Sequence, residues 1–184
     1  MAMPAPHTNW TVEMVHALPD DGPRYEVING ELLVSPSPSA LHQRAVGELY
    51  VILRAYLAGS ELEVLFAPFA VTWSQSTEVQ PDLLVAPKAH IRLLKDGQGA
   101  SELVLAVEVL SPSTARHDRY KKRRLYQSKV REYWIVDTGS RLFERWLPGK
   151  KEPDVLLATL TWKLLPDRES LNIDIPAYFD AGLA

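Results

Sequence analysis

Three ionisable residues stand where charge is costly. Glu108 interrupts the run from Leu103 to Leu110, LVLAVEVL, which is otherwise apolar. A Val-rich run of that length, closed by the turn signal Ser111-Pro112, predicts a strand buried on both faces. Alternation puts Val104, Ala106, Glu108 and Leu110 on one face and Leu103, Leu105, Val107 and Val109 on the other. Glu108 therefore points into packed surroundings, where a carboxylate needs compensation. Asp82 follows Pro81 near the start of a second apolar run, Val79 to Val85. Lys122 lies in the most basic stretch of the chain, where Arg116, Arg119, Lys121, Lys122, Arg123 and Arg124 fall inside nine residues. Stepping about 100° per residue places Lys122 between Leu125 and Tyr126, with Asp118 one turn earlier on the same side. Lys121, Arg123 and Arg124 fan outward.

Two carboxylates on adjacent strands and an inward lysine form the minimum set for metal-assisted phosphodiester hydrolysis. The acids would hold a divalent cation that polarises a phosphoryl oxygen and acidifies a bound water, and the ammonium would orient that water or offset charge in the transition state. Hard oxygen donors suit Mg²⁺ or Mn²⁺ better than Zn²⁺. The same residues also admit a bland reading, as structural acids bound to a lysine and to backbone N–H groups, with Lys122 snorkelling or ion-paired. The outward basic residues Arg116, Arg119, Lys121, Arg123 and Arg124 read either as a nucleic-acid-binding surface on the helix that carries the site or as an ordinary solvated face.

The elements that must position these groups are legible in order. Thr8 or Asn9 caps a short helix to about Leu18, with Trp10, Val15 and Leu18 inward. YEVINGELLV is a hairpin around Asn29-Gly30, with Glu26 and Glu31 near its turn. A long helix follows from Ala40 to Gly59, its apolar face made by Leu41, Ala45, Leu49, Ile52, Leu53 and Tyr56. EVLFAPFAVTW alternates around a central proline, as a broken strand or hairpin does. Residues 79–85 form a strand, 86–101 a loop with one helical turn around Ile91 to Leu94, and 103–110 the central strand. The basic helix runs to about Ser128 and EYWIVD is another buried strand, after which the chain finishes antiparallel with a short terminal turn.

Composition sets the outer bounds. The chain has 184 residues, 46% hydrophobic and 23% charged, which fits a single domain over residues 1–184. A net charge of −3 means that any polyanion contact must come from a local patch. The absence of cysteine removes disulfides, thiol nucleophiles and thiolate zinc sites, and the five histidines show no HxxxH spacing. No P-loop or GxSxG occurs, and Gly97-Gln98-Gly99 lacks the strand and third glycine of a dinucleotide loop. The five tryptophans are not interleaved with basic residues and read as core or interface. No apolar stretch approaches the ~20 residues that span a bilayer, and the N-terminus lacks a leader pattern, so a cytoplasmic location without membrane contact is expected.

Several quoted features together resemble the Uma-two family of restriction-endonuclease-like proteins, within the PD-(D/E)XK nuclease superfamily. They are Pro81-Asp82, Glu108-Val109-Leu110-Ser111-Pro112-Ser113-Thr114, the four-residue spacing of Asp118, Lys122 and Tyr126, and Glu132-Tyr133-Trp134-Ile135-Val136-Asp137. Tyr25-Glu26, Gly30-Glu31-Leu32, Ser35-Pro36 and His42 extend the likeness, which covers roughly residues 24–147. The resemblance implies an α/β (α+β) fold: a mixed central sheet flanked by helices, with an αβββαβ core, an N-terminal hairpin and C-terminal antiparallel strands. It also implies a divalent-metal site at Asp82 and Glu108. Leu110 stands where the superfamily has its lysine, and Lys122 matches a lysine moved to the following helix. Lys129 stands where the family has glycine, a departure that touches the helix end rather than the site.

The expected activity is a Mg²⁺- or Mn²⁺-dependent DNA endonuclease in which Asp82, Glu108 and Lys122 are catalytic. Glu31 and His42 are auxiliary as a further metal ligand and a phosphate contact, or else are simply a turn acid and a helix N-terminal residue. The rivals are a catalytically silent DNA- or protein-binding module on the same fold and an enzyme acting on another phosphodiester. A homodimer is compatible with a nuclease facing two strands.

Overall fold

The computed structural model describes residues 9–20, 22–94, 97–111 and 115–183. The alternative cap Thr8, and the turn residues Pro112, Ser113 and Thr114, lie outside the described residues.

The first helix, α1, is Val12–His16 and starts later than its composition suggests, because Thr11 supplies the cap by accepting from the Met14 N–H. Trp10, just before it, is buried and donates its backbone N–H to Gly30 O. Gly30 belongs to the hairpin of β1 (Arg24–Ile28) and β2 (Glu31–Ser35), whose two turn residues Asn29 and Gly30 have φ of 51° and 82°. Positive φ at both central residues is what an Asn-Gly hairpin turn requires.

Helix α2 (Ala40–Leu57) is capped by Ser39 and buries His42, Ala45, Val46, Leu49, Leu53 and Leu57. Leu41, expected on the apolar face, is 41% exposed instead: His42, one residue on, takes the inward position in the first turn.

The chain then alternates between two sheets. Strand β3 (Leu62–Phe66) belongs to a six-stranded sheet, whereas β4 (Val71–Ser74) and β5 (Thr77–Val79) join the N-terminal hairpin in a four-stranded sheet of order β2-β1-β5-β4. Strand β6 (Leu83–Pro87) returns to the larger sheet. The single strand expected over 79–85 is therefore two, separated by Gln80-Pro81-Asp82, where Pro81 has no N–H for a ladder. Two 3-10 turns, Lys88–Leu93 and Ala100–Glu102, occupy the expected loop.

Next come the central strand β7 (Leu105–Val109) and the basic helix, which has three parts: α3 (Ala115–His117), a π-helical turn (Asp118–Lys122) and α4 (Arg123–Lys129). Strand β8 (Glu132–Asp137) pairs parallel to β7, as a helical crossover allows. β9 (Leu142–Trp146) and β10 (Asp154–Leu156) complete the sheet order β10-β9-β8-β7-β6-β3. A ribbon of β11 (Thr159–Trp162) and β12 (Leu171–Asp174) leads into α5 (Ile175–Leu183), a helix where only a turn was expected. The αβββαβ core is thus α2-β3-β6-β7-basic helix-β8, with β4 and β5 inserted between its first two strands.

Each face of the large sheet has its own core. On one side α2, α5 and the ribbon meet Leu49, Leu53, Val107, Trp134, Trp162 and Phe179; on the other, Leu84, Ala106, Tyr126, Tyr133 and Ile135 pack with residues of the small sheet. Residues 105–109 alternate as expected, but Leu103 and Val104 precede the strand and fall on the opposite sides from those assigned by alternation. Among the described residues, no helix is long and apolar enough to cross a membrane. Leu53→Ala should cost about 2–5 kcal/mol in urea unfolding, whereas Leu41→Ala should change stability by less than about 0.5 kcal/mol. Equal losses would contradict the inward face assigned to α2.

Candidate active site

The pairing of β6 with β7 places the two acids. Leu83 is registered against Val107 and Leu84 against Ala106, so the next step of the antiparallel ladder brings Asp82 opposite Glu108. Both lie on the face that carries Leu84 and Ala106, under the basic helix and the small sheet. The Val109 N–H donates to Asp82 Oδ2 at 2.9 Å and fixes the carboxylate to the neighbouring strand.

Lys122 enters from above. It is 1% exposed, and its Nζ lies 2.9 Å from Glu108 Oε1, 2.8 Å from Glu26 Oε2 and 3.8 Å from Asp118 Oδ1. The inward direction read from helical periodicity matches this placement. The backbone there is wider than an α-helix: the Arg123 N–H donates to Asp118 O, an i→i+5 bond, and such π turns recur at functional sites. Tyr126 OH donates to Glu108 Oε1 at 3.1 Å, and Tyr133 OH to Asp118 O at 3.2 Å.

Two further groups hold Asp82. Arg24 Nη1 donates to Oδ1 at 3.0 Å, and His42 Nε2 lies 3.0 Å from Oδ2. An ionised carboxylate only accepts, so His42 carries its proton on Nε2 there. Of the auxiliary residues, His42 thus joins the cluster. Glu31 does not: it is exposed at the hairpin turn and pairs with Lys121.

The acid that β1 contributes is Glu26, 1% exposed, which accepts the Gln80 N–H on Oε1 at 2.7 Å. Periodicity alone did not single out Arg24 and Glu26, because a hairpin that faces water would carry the same alternating charges. The signal that could have found them is that they are two apart in β1, and so share a face, while Val27 and Ile28 mark that end of the strand as covered.

The electrostatics separate the two acids. Burial would by itself raise the Asp82 carboxyl, but the His42 hydrogen bond and the charges of Arg24, His42 and Lys122 hold it well below the usual carboxylate range. Glu108 moves the other way: burial raises it beyond what Lys122 can offset, and Asp82, Asp118 and Glu26 add to the effect. Burial disfavours the Lys122 ammonium, yet Glu108, Glu26 and Asp118 outweigh it and keep the amine protonated far above its ordinary range.

Mg²⁺ and Mn²⁺ take carboxylate oxygens as ligands. Four carboxylates (Glu26, Asp82, Glu108 and Asp118) here face two cations, Arg24 and Lys122, an excess of two negative charges when all four are ionised and His42 is neutral. In charge and donor type the residues fit a divalent ion. Their arrangement is closed on itself, since among the described residues no three His, Asp or Glu side chains are grouped as metal ligands. Arg24 and His42 occupy the Asp82 oxygens, and Lys122 and Tyr126 share one Glu108 oxygen.

The outward basic residues are less available than their sequence suggests. Arg119 binds Asp137 at 2.7 Å and Glu144 at 2.8 Å, Lys121 pairs with Glu31, and Arg123 lies 4.6 Å over the Trp146 ring and bonds Gln127. Arg116 and Arg124 are the exposed members of the run.

A mixed sheet with one parallel pair, opposed acids on adjacent strands and a lysine from the crossover helix defines a restriction-endonuclease-like α+β protein. The chain belongs to the Uma2 family, described as "Putative restriction endonuclease", whose profile spans residues 12–176. Its fold is similar to a crystal structure from Anabaena variabilis ATCC 29413 described as "a putative nuclease belonging to DUF820". The TM-score is 0.73 at 17% identity, covering 94% of this chain and 99% of that one. No curated protein matches the sequence.

Lys122→Met keeps the side-chain length but strands the carboxylates, and should destabilise the fold by about 3–5 kcal/mol at neutral pH. The sign with pH follows from the shifts. A lysine raised in the folded state contributes fully below about 10.4 and loses that contribution only at higher pH. The variant's deficit should instead shrink as pH falls towards about 4, where the stranded acids take up protons. A deficit in urea midpoint that is constant from acid to neutral pH would show that the ammonium does not compensate these acids.

Proposed function

We propose that the protein is a divalent-metal-dependent nuclease that hydrolyses phosphodiester bonds in DNA. The observation that carries this reading is the buried Lys122 ammonium shared by Glu26 and Glu108 beside an ionised Asp82. Family membership and a fold like that of the Anabaena protein support the same class.

Asp82 and Glu108, opposed across β6 and β7, are the residues that would hold Mg²⁺ or Mn²⁺, with Glu26 the nearest further carboxylate on Lys122. The bound ion would polarise a phosphoryl oxygen and lower the pKa of a coordinated water. Lys122, protonated and fixed by its carboxylates, would offset negative charge in the transition state without reorganising to do so. Tyr126, whose hydroxyl is raised by burial and by Glu108 and Glu26, stays a donor and holds Glu108 in position. Arg24 must share or release Asp82 Oδ1 when the carboxylate takes another partner, which also puts a guanidinium within reach of the phosphate.

A second reading is favoured by one observation, the self-neutralised state of Asp82, whose oxygens are both engaged by protein donors. It is a catalytically silent module that binds DNA or a protein on the same fold.

Pure protein incubated with supercoiled plasmid and Mg²⁺ or Mn²⁺ should nick it, and EDTA should stop the reaction. Asp82→Ala and Lys122→Met, checked for folding by circular dichroism, should each lower the rate at least about 100-fold. Nicking that survives both substitutions would sink the assignment. Salt-sensitive DNA binding without cleavage would favour the silent module.

A further inference from the structure

The basic segment carries more charge than the site uses. Residues 115–131 hold eight of the chain's 20 lysines and arginines and one of its 23 acids, Asp118, which is buried. The segment therefore stands at +7 while the rest of the chain stands at −10. Lys122 is taken up by the buried carboxylates, Arg119 by Asp137 and Glu144, and Lys121 by Glu31. Arg116, Arg124, Lys129 and Arg131 are exposed, and among the described residues none of them enters an ion pair.

The backbone sorts these side chains into two lines. Asp118, Lys122, Tyr126 and Val130, four apart, are buried; Arg116, Tyr120, Arg124 and Ser128, also four apart and offset by two, are exposed. In an α-helix every fourth residue gains about 40°, so such lines wind around the axis. The i→i+5 turn at Asp118–Lys122 rotates less per residue and straightens them. The buried line carries Lys122 to the carboxylates, and the exposed line presents two guanidiniums, a phenol and a serine to solvent, with Lys129 and Arg131 just beyond.

Guanidiniums and hydroxyls are the groups that take phosphate oxygens. From Arg116 to Ser128 the line is about 18 Å long at ~1.5 Å per residue, the span of on the order of ten duplex phosphates at one per ~1.7 Å. Its shape selects a duplex: an unpaired strand is held in a groove with successive aromatic platforms, whereas this helix face is convex and has the single ring of Tyr120. The cleft over Asp82 does not supply the contact, because Asp20, Glu78 and Asp82 line it against Arg24 as its one lysine or arginine among the described residues.

We infer that the outward line of the basic helix, Arg116, Tyr120 and Arg124 with Lys129 and Arg131, is a docking surface for the phosphate backbone of duplex DNA, separate from the site. That a polyanion docks here rests on charge and exposure; that it is DNA rests on the nuclease reading. The Ala115 N–H donates to Ser111 O, and Ser111 lines the cleft, so the line begins beside the opening over Asp82.

The test is fluorescence anisotropy of the whole protein in EDTA, with a fluorescein-labelled duplex over a series of KCl concentrations. The same sequence as a single strand, and co-sedimentation with phosphatidylserine vesicles, are the other arms. Wild type should bind the duplex with an affinity that falls steeply with salt. The double variant Arg116→Ala/Arg124→Ala should bind at least about tenfold more weakly at low salt, and its log–log salt slope should be smaller by about two, at ~0.9 per phosphate contact. Lys121→Ala removes a cation already paired with Glu31 and should change the slope by less than about half a unit. Both arginines are exposed, so thermal melts of the double variant should match wild type. No duplex binding by wild type, a slope unchanged in the double variant or lowered as much by Lys121→Ala, a single strand bound as tightly as the duplex, or vesicles bound in place of DNA would overturn the inference. Metal-dependent nicking with an unchanged slope would leave the nuclease assignment standing without this surface. Duplex binding that the double variant loses, without cleavage by wild type, would keep the surface and remove the nuclease assignment.

Discussion

The structure turns on one buried ammonium. Isolated in a low-dielectric interior, the Lys122 charge would cost several kcal/mol, and the fold meets that cost by bringing carboxylates to it from three elements. Glu108 comes from the large sheet, Glu26 from the small one and Asp118 from the helix itself. The interaction therefore pins the two sheets together at the point where the chemistry would occur. Removing the ammonium leaves all three carboxylates over-charged, so position and charge are not independent choices here.

The junction between the sheets explains why the two opposed acids differ. Asp82 lies in the short crossover between β5 and β6, where Arg24 and His42 reach it. Glu108 lies inside β7, sealed by Tyr126 and the basic helix. One acid is therefore held ionised and its partner across the ladder is pushed towards protonation, the split that lets two identical functional groups take different roles.

Much of this was legible in the sequence where local chemistry is decisive. The Asn29-Gly30 hairpin, the apolar run around Glu108, the inward Lys122 and the strand 132–137 appear where their residue types demand. Glu108 stands out by its burial cost and Asp82 by its place at the start of an apolar run and by the family likeness, and the structure brings the two face to face. What could not be read was long-range. That β4 and β5 leave for another sheet depends on partners at Val27, some fifty residues away, and nothing in EVLFAPFAVTW encodes them. Glu31 looked as good as Glu26 because both flank one turn, and only docking of the small sheet decides between them. The basic run looked like one surface because its counter-charges, Asp137 and Glu144, lie on strands that follow it.

The parallel pairing of β7 with β8 has a consequence for how the molecule is assembled. Parallel neighbours cannot be joined by a tight turn, so the segment carrying Lys122 must cross over the sheet before β8 can dock. Its carboxylate partners at positions 26 and 108 lie on two sheets and are far apart along the chain. The charge cluster therefore cannot be completed by local contacts, and its closure costs loop entropy that only the finished core repays. Folding of this protein should register the site among its last events: the same residues that would do the chemistry report that both sheets have met.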